Sequence, residues 1–72
     1  NIADYREKRK KVLEDVAVKV AKTVIRTGKK ITLEPMSAYE RKIIHSKLQD
    51  HPQITTYSIG EEPYRKVVIS KK

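Results

Sequence analysis

The sequence predicts a small α+β domain, with two helices packed on one face of a three-stranded sheet in the order helix, strand, helix, strand, strand. Three observations predict it. An apolar stripe with helical spacing runs through the first 27 residues, a capping sequence at Ser37–Glu40 announces a second helix, and two β-branched runs near the C-terminus flank a turn-rich connection. The 72 residues are taken as one domain, 1–72. A core of this size contributes only about 3–5 kcal/mol of net stability.

The first helix is expected over residues 3–27. Leu13, Val16, Ala17, Val20 and Val24 recur at spacings of three and four and build one apolar stripe. Lys8, Lys11, Lys19, Lys22 and Arg26 fall largely on other faces, and Gly28 is placed to end the helix in a left-handed turn. The β-branched valines lower intrinsic helicity, so tertiary packing must hold the helix.

Residues 30–34, KITLE, alternate: Ile31 and Leu33 face one way, Thr32 and Glu34 the other, as in a short half-buried strand that Pro35 ends. Ser37-Ala38-Tyr39-Glu40 is a capping box, in which Ser37 accepts from the Glu40 amide and Glu40 reaches back to the Ser37 amide. The helix it opens runs to about Asp50, where His51-Pro52 stops it. Residues 54–59, ITTYSI, and 65–70, RKVVIS, form a hairpin around the five-residue loop Gly60–Tyr64. Its buried face is undecided: Ile54, Thr56 and Ser58 share one side, Thr55, Tyr57 and Ile59 the other. The terminal Lys71-Lys72 is expected to fray.

Charge narrows the function classes. Seventeen Lys and Arg stand against nine Asp and Glu, a net charge of +8 with a pI near 9.9. Residues 1–30 hold ten of the basic and four of the acidic side chains, so most of the excess lies in the first 30 residues. Such a surplus on a small domain attracts polyanions, of which nucleic acid is the commonest. There is no cysteine, which fits a reducing, cytoplasmic setting, and no apolar run approaches the ~18 residues of a membrane span. The chain starts at Asn1 rather than Met, as a piece of a longer protein would.

Enzyme chemistry finds little support. Ser37, Ser46, Ser58 and Ser70 lack a glycine-flanked elbow, Glu40 is committed to the cap, and two glycines in the whole chain leave no phosphate loop. His45 and His51 are six residues apart with no cysteine beside them, too few ligands for a metal. A non-catalytic protein without cofactor or metal is expected. Among the aromatics, Tyr57 and Tyr64 lie near Arg65 and Lys66, where a base could stack or a loop could pack.

The pair that stands out is Arg41 and His45. Four residues apart on a helix, they lie about 40° from each other, on the flank of the stripe marked by Ile44 and Leu48. An Arg fork binds two phosphate oxygens at once, and a neighbouring His donates to the same anion, which favours its protonated form. Taken alone, the spacing favours a plainer outcome: a helix-flank Arg paired to Glu and a His satisfied within the fold.

Three blocks in order change the balance. Leu33-Glu34-Pro35-Met36 with Tyr39-Glu40-Arg41 and Ile43-Ile44-His45 resembles the R-three-H domain, named for an Arg-x-x-x-His motif that Arg41 and His45 match. Thr56, Ser58, Gly60, Pro63 and Arg65 match the family's Thr-x-Ser-x-Gly-x-x-Pro-x-Arg pattern, and Tyr5-Arg6-Glu7-Lys8-Arg9 is similar to the start of this domain in the bacterial Jag, or SpoIIIJ-associated, proteins. Ala38 departs from the pattern, since relatives often carry proline there; this touches helix initiation and leaves the Arg–His pair intact. The resemblance implies an antiparallel sheet, a position C-terminal to a KH domain, and binding of single-stranded nucleic acid (RNA in a bacterium, with the choice between RNA and DNA left open). It also implies an association of the full-length protein with the YidC/SpoIIIJ membrane-protein insertase.

On that reading Arg41 and His45 contact a phosphate or a terminal nucleotide. Thr56 and Ser58, if they face the helix, add hydroxyl bonds, Arg65 completes a positive pocket, and Lys42 and Lys66 add steering charge. Lys19, Lys22 and Arg26 extend the track or are simply solvated. Two alternatives stay open. The basic run Lys8–Lys11 would serve a protein- or membrane-surface interaction module, with membrane association through partners. Alternatively, Arg41 and His45 mainly tie the second helix to the hairpin through Thr56 or Ser58.

Overall fold

A computed structural model describes residues 2–72, with side chains from Tyr5 onward. Helix α1 spans Ile2–Thr27, strand β1 Ile31–Thr32, helix α2 Ala38–Leu48, strand β2 Ile54–Ile59 and strand β3 Lys66–Lys71. The sheet order is β1-β3-β2, with both outer strands antiparallel to β3. The α+β class and element order are those the sequence predicts.

Both helices cover the same face of the sheet. Leu13, Ala17, Ala21 and Val24 of α1 meet Ile43, Ile44 and Leu48 of α2 over Ile54, Val67 and Ile69 of the strands. Val20 of the predicted stripe is only half-buried, while Ala21, which the stripe omits, is sealed. A small side chain at that position lets α1 approach its neighbours closely. Gly28 closes α1 with φ of 74° and donates its N–H to the Val24 carbonyl (2.7 Å), the left-handed stop its position predicts.

Three boundaries differ from expectation. Regular pairing in β1 covers only Ile31 and Thr32, opposite Ile69 and Val68; the Leu33 N–H still bonds the Val67 carbonyl (2.9 Å) before Pro35 ends the ladder. Helix α2 stops at Leu48, two residues early, and the His51 N–H returns to the Leu48 carbonyl (3.1 Å). The hairpin connection is Gly60–Arg65, one residue longer than expected, and the Arg65 carbonyl accepts from the Met36 N–H (3.3 Å) on the β1 side, as the Val67 carbonyl does from Leu33. At the C-terminus, where fraying is expected from sequence, Lys71 pairs with Ile54 and the Lys72 N–H bonds the Gln53 carbonyl (3.0 Å).

The undecided hairpin face is resolved by the core. Ile54 is buried with Val67 and Ile69, and strand alternation puts Thr56 and Ser58 on the same, helix-facing side. Tyr57 and Ile59 lie on the open side, about 40% exposed (41% and 40%).

Candidate functional site

The site is built from the start of α2. The Glu40 N–H donates to Ser37 Oγ (3.3 Å) and the Ser37 N–H donates to Glu40 Oε1 (3.2 Å), completing the capping box. The other oxygen of Glu40 accepts from Arg9 Nε on α1 (2.9 Å). Hydrogen bonds from Arg9 and from the Ser37 amide hold the Glu40 carboxyl below the usual carboxylate range. One carboxylate thus starts α2 and ties it to α1, which fixes the rotation of α2 and turns its next flank, Arg41 and His45, toward the hairpin.

Arg41 is the one charged residue among the buried ones described. Its side chain is 9% exposed. Nη1 donates to the Met36 carbonyl (2.6 Å), at the end of the segment leading into α2. Nη2 pairs with the Glu62 carboxylate on the hairpin loop. The guanidinium therefore adds a side-chain tie to the Met36–Arg65 backbone bond between these two loops, using the fork geometry that lysine lacks.

One turn on, the His45 ring lies against β2. Nδ1 is 2.7 Å from Thr56 Oγ1 and Nε2 is 2.9 Å from Ser58 Oγ. A hydroxyl donates or accepts, so the pair satisfies either neutral tautomer. Burial, with the Arg41 and Arg65 guanidiniums nearby, pushes the imidazole pKa below the usual histidine value, so the ring is neutral at pH 7. Arg65 closes the arrangement from the loop: Nη1 donates to the Gly60 carbonyl (2.6 Å) and Nη2 reaches the Ser58 carbonyl (3.4 Å). Gly60, with φ of 85°, supplies the left-handed residue this loop needs.

Five of the residues singled out from sequence, Arg41, His45, Thr56, Ser58 and Arg65, therefore meet in one place. Lys42 is exposed on the adjoining face of α2. Lys66 alternates with the core residues Val67 and Ile69 and leaves from the opposite face of the sheet, beside Ile59. Lys19, Lys22 and Arg26 are exposed on the side of α1 roughly opposite its core stripe, well away from His45. Sequence reasoning missed Glu62. It is one of two adjacent acids in a loop 21 residues from Arg41, and only the hairpin register selects it. Among the described residues no three His, Asp or Glu side chains gather as a metal site would require, and no helix is long and apolar enough to cross a membrane.

The R-three-H domain family model matches residues 11–71. Relatives include the RNA-binding protein KhpB of Clostridium symbiosum, 51% identical over 69 residues (96% of this chain, 31% of the relative). KhpB of Bacillus subtilis is 51% identical over 71 residues (96% of this chain, 34% of the relative), and that of Lactiplantibacillus plantarum is 43% identical over 70 residues (97% and 22%). The chain spans between a fifth and about a third of the length of these relatives. With the family model covering most of the chain, and with Arg41 and His45 one turn apart on α2, the chain belongs to the R-three-H domain family.

Proposed function

We propose that this domain is a non-catalytic module that binds single-stranded nucleic acid, RNA in the first place, and contacts phosphate at the cluster of Arg41, His45, Thr56, Ser58 and Arg65, with Lys42 adding charge at its edge. The observation that carries the reading is that two guanidiniums stand near one imidazole and two hydroxyls, a concentration of positive charge with a single carboxylate, Glu62, opposing it. Glu62 is 58% exposed at its side chain, so a phosphate oxyanion exchanges with it on Arg41 without unpacking the core. The naming of the relatives as RNA-binding proteins supports the choice of RNA.

Few phosphates are engaged, so binding by the isolated domain is weak and falls as salt is raised. Titration of labelled single-stranded RNA at several salt concentrations tests it. Saturable, salt-sensitive binding that Arg65→Gln weakens, with the fold intact by circular dichroism, is the expected result. Absence of binding at low salt contradicts the reading.

A second reading has its own observation. Lys8, Lys10 and Lys11 of α1 are exposed or half-exposed while Arg9 is engaged by Glu40, leaving a cationic ridge that suits an acidic protein or an anionic membrane surface, as the insertase connection requires. Neutralising that ridge abolishes recruitment to such a surface and spares RNA affinity if this reading holds.

A further inference from the structure

The residues of the Arg–His cluster spend their polar atoms largely on the fold, whereas a different group of cations has no such engagement. Between α1 and α2 lies an open groove of about 420 Å³ lined by Lys10 and Glu14 of α1 and by Tyr39, Lys42, Ile43, Ser46 and Lys47 of α2. None of the three lysines has a carboxylate partner among the described residues, where the ion pairs are Arg9–Glu40 and Arg41–Glu62. Glu14 is the one acid in the lining, so the groove carries a local excess of positive charge. Tyr39 stands over it with 57% of its surface exposed.

The geometry explains why these groups are free. The Arg9–Glu40 bridge fixes α2 against α1 at one end, and Ile43 is buried at the groove floor. Lys10 is the member of the α1 basic run that lines this groove, together with Glu14, on the side next to α2. On α2, Lys42 and Ser46 are one turn apart, and Lys42 directly follows Arg41 in the chain. The groove is therefore reached from the Arg41–His45 cluster by crossing the exposed face of one helix.

We infer that this groove is a second contact for the same single strand: Lys10, Lys42 and Lys47 hold successive phosphates and Tyr39 offers a stacking face for a base. The inference rests on the nucleic-acid reading above and extends it from a point contact to a path. An exposed aromatic set among unpaired cations suits single strands because every base presents a π-face, whereas it gives an acidic peptide no matching partner for the ring.

The test compares two labelled single-stranded RNAs, of about four and about twelve nucleotides, against the unsubstituted chain, Lys10→Ala/Lys47→Ala and Tyr39→Ala. All three substituted residues are exposed, so thermal unfolding changes little. The path predicts that the double lysine variant loses affinity for the longer strand, with the slope of log affinity against log salt shallower by about 1.4, and keeps its affinity for the shorter one. Tyr39→Ala weakens the longer strand about five-fold or more. If the unsubstituted chain binds the longer strand and the lysine variant binds it with unchanged affinity and slope, the groove assignment is overturned while the nucleic-acid reading stands. If the unsubstituted chain binds neither strand, both are overturned.

Discussion

Arg41 on α2 pairs with Glu62 on the hairpin loop, 21 residues away, and the same guanidinium holds the Met36 carbonyl. The named arginine of the family motif is thus a clasp as well as a candidate ligand. Its two ends are unequal: the Arg41 side chain is 9% exposed and that of Glu62 58%. Removing Arg41 strands a carbonyl and empties a packed position, while removing the charge of Glu62 leaves an exposed amide that still accepts. Arg41→Ala should therefore cost about 2–3 kcal/mol and Glu62→Gln less than about 1 kcal/mol, measured by urea unfolding. Equal losses from the two would show that the clasp is not asymmetric. The same Glu62→Gln change should strengthen RNA binding at low salt, because phosphate no longer competes with a carboxylate.

The His45 ring depends on two hydroxyls. Thr56→Val keeps the shape and removes the partner of Nδ1 at 2.7 Å. A half-buried imidazole nitrogen left without a partner predicts a loss of about 1–3 kcal/mol, or roughly 4–8 °C of melting temperature per kcal/mol in a domain of this size. Thr55→Val, on the open face one residue away, should be close to neutral. If the two variants melt alike, the ring–hydroxyl bonds carry no stability.

The pH dependence follows from the same ring. In the folded chain the His45 pKa lies below the ordinary value of 6.5, because burial and two guanidiniums disfavour the imidazolium. Between the folded pKa and 6.5 the unfolded chain binds the extra proton, so stability rises with pH through that window and is lost as pH falls toward the folded value. Glu40, also depressed, acts lower: its contribution is present above 4.5 and is lost as pH falls further. Melting curves from about pH 8 to about pH 5 should fall for the unsubstituted chain and flatten in His45→Gln. A midpoint for His45 above 6.5 by NMR titration would contradict the neutral ring.

The capping box gives a local test. Glu40→Ala removes the acceptor for both the Ser37 amide and Arg9 Nε, and should cost about 1–2 kcal/mol. Arg9→Ala removes only a partly exposed ion pair and should cost less than about 1 kcal/mol. Thermal unfolding of the two variants separates cap from bridge.

These residues also show what was legible in the sequence. Helix α2 was readable at its start, since Ser37 and Glu40 interact within one turn, and α1 was readable from its stripe. The hairpin was readable as two runs, but its buried face was not. Each side of β2 carries one isoleucine, Ile54 with Thr56 and Ser58 on one and Ile59 with Thr55 and Tyr57 on the other, so hydropathy does not choose between them. In the structure His45 gives the two hydroxyls partners at 2.7 and 2.9 Å on the helix-facing side, a contact between residues 11 and 13 apart that no local pattern encodes. The Arg–His pair was visible as spacing and gained meaning from its resemblance to a family. Glu62 and Lys47 were invisible as site residues, and Lys10 stood out only within the basic run Lys8–Lys11, because only the packing of α1, α2 and the loop shows what lies near them.

The central claim is that a single strand binds on the side of α2 that carries His45. Amide chemical-shift mapping with a short single-stranded RNA tests it most directly. The account predicts that His45, Thr56, Ser58 and Arg65 shift together, with Lys42 beside them, and that the shifts shrink as salt is raised. No shifts at low salt, or shifts confined to Tyr57, Ile59 and Lys66 on the open face of the sheet, would contradict it.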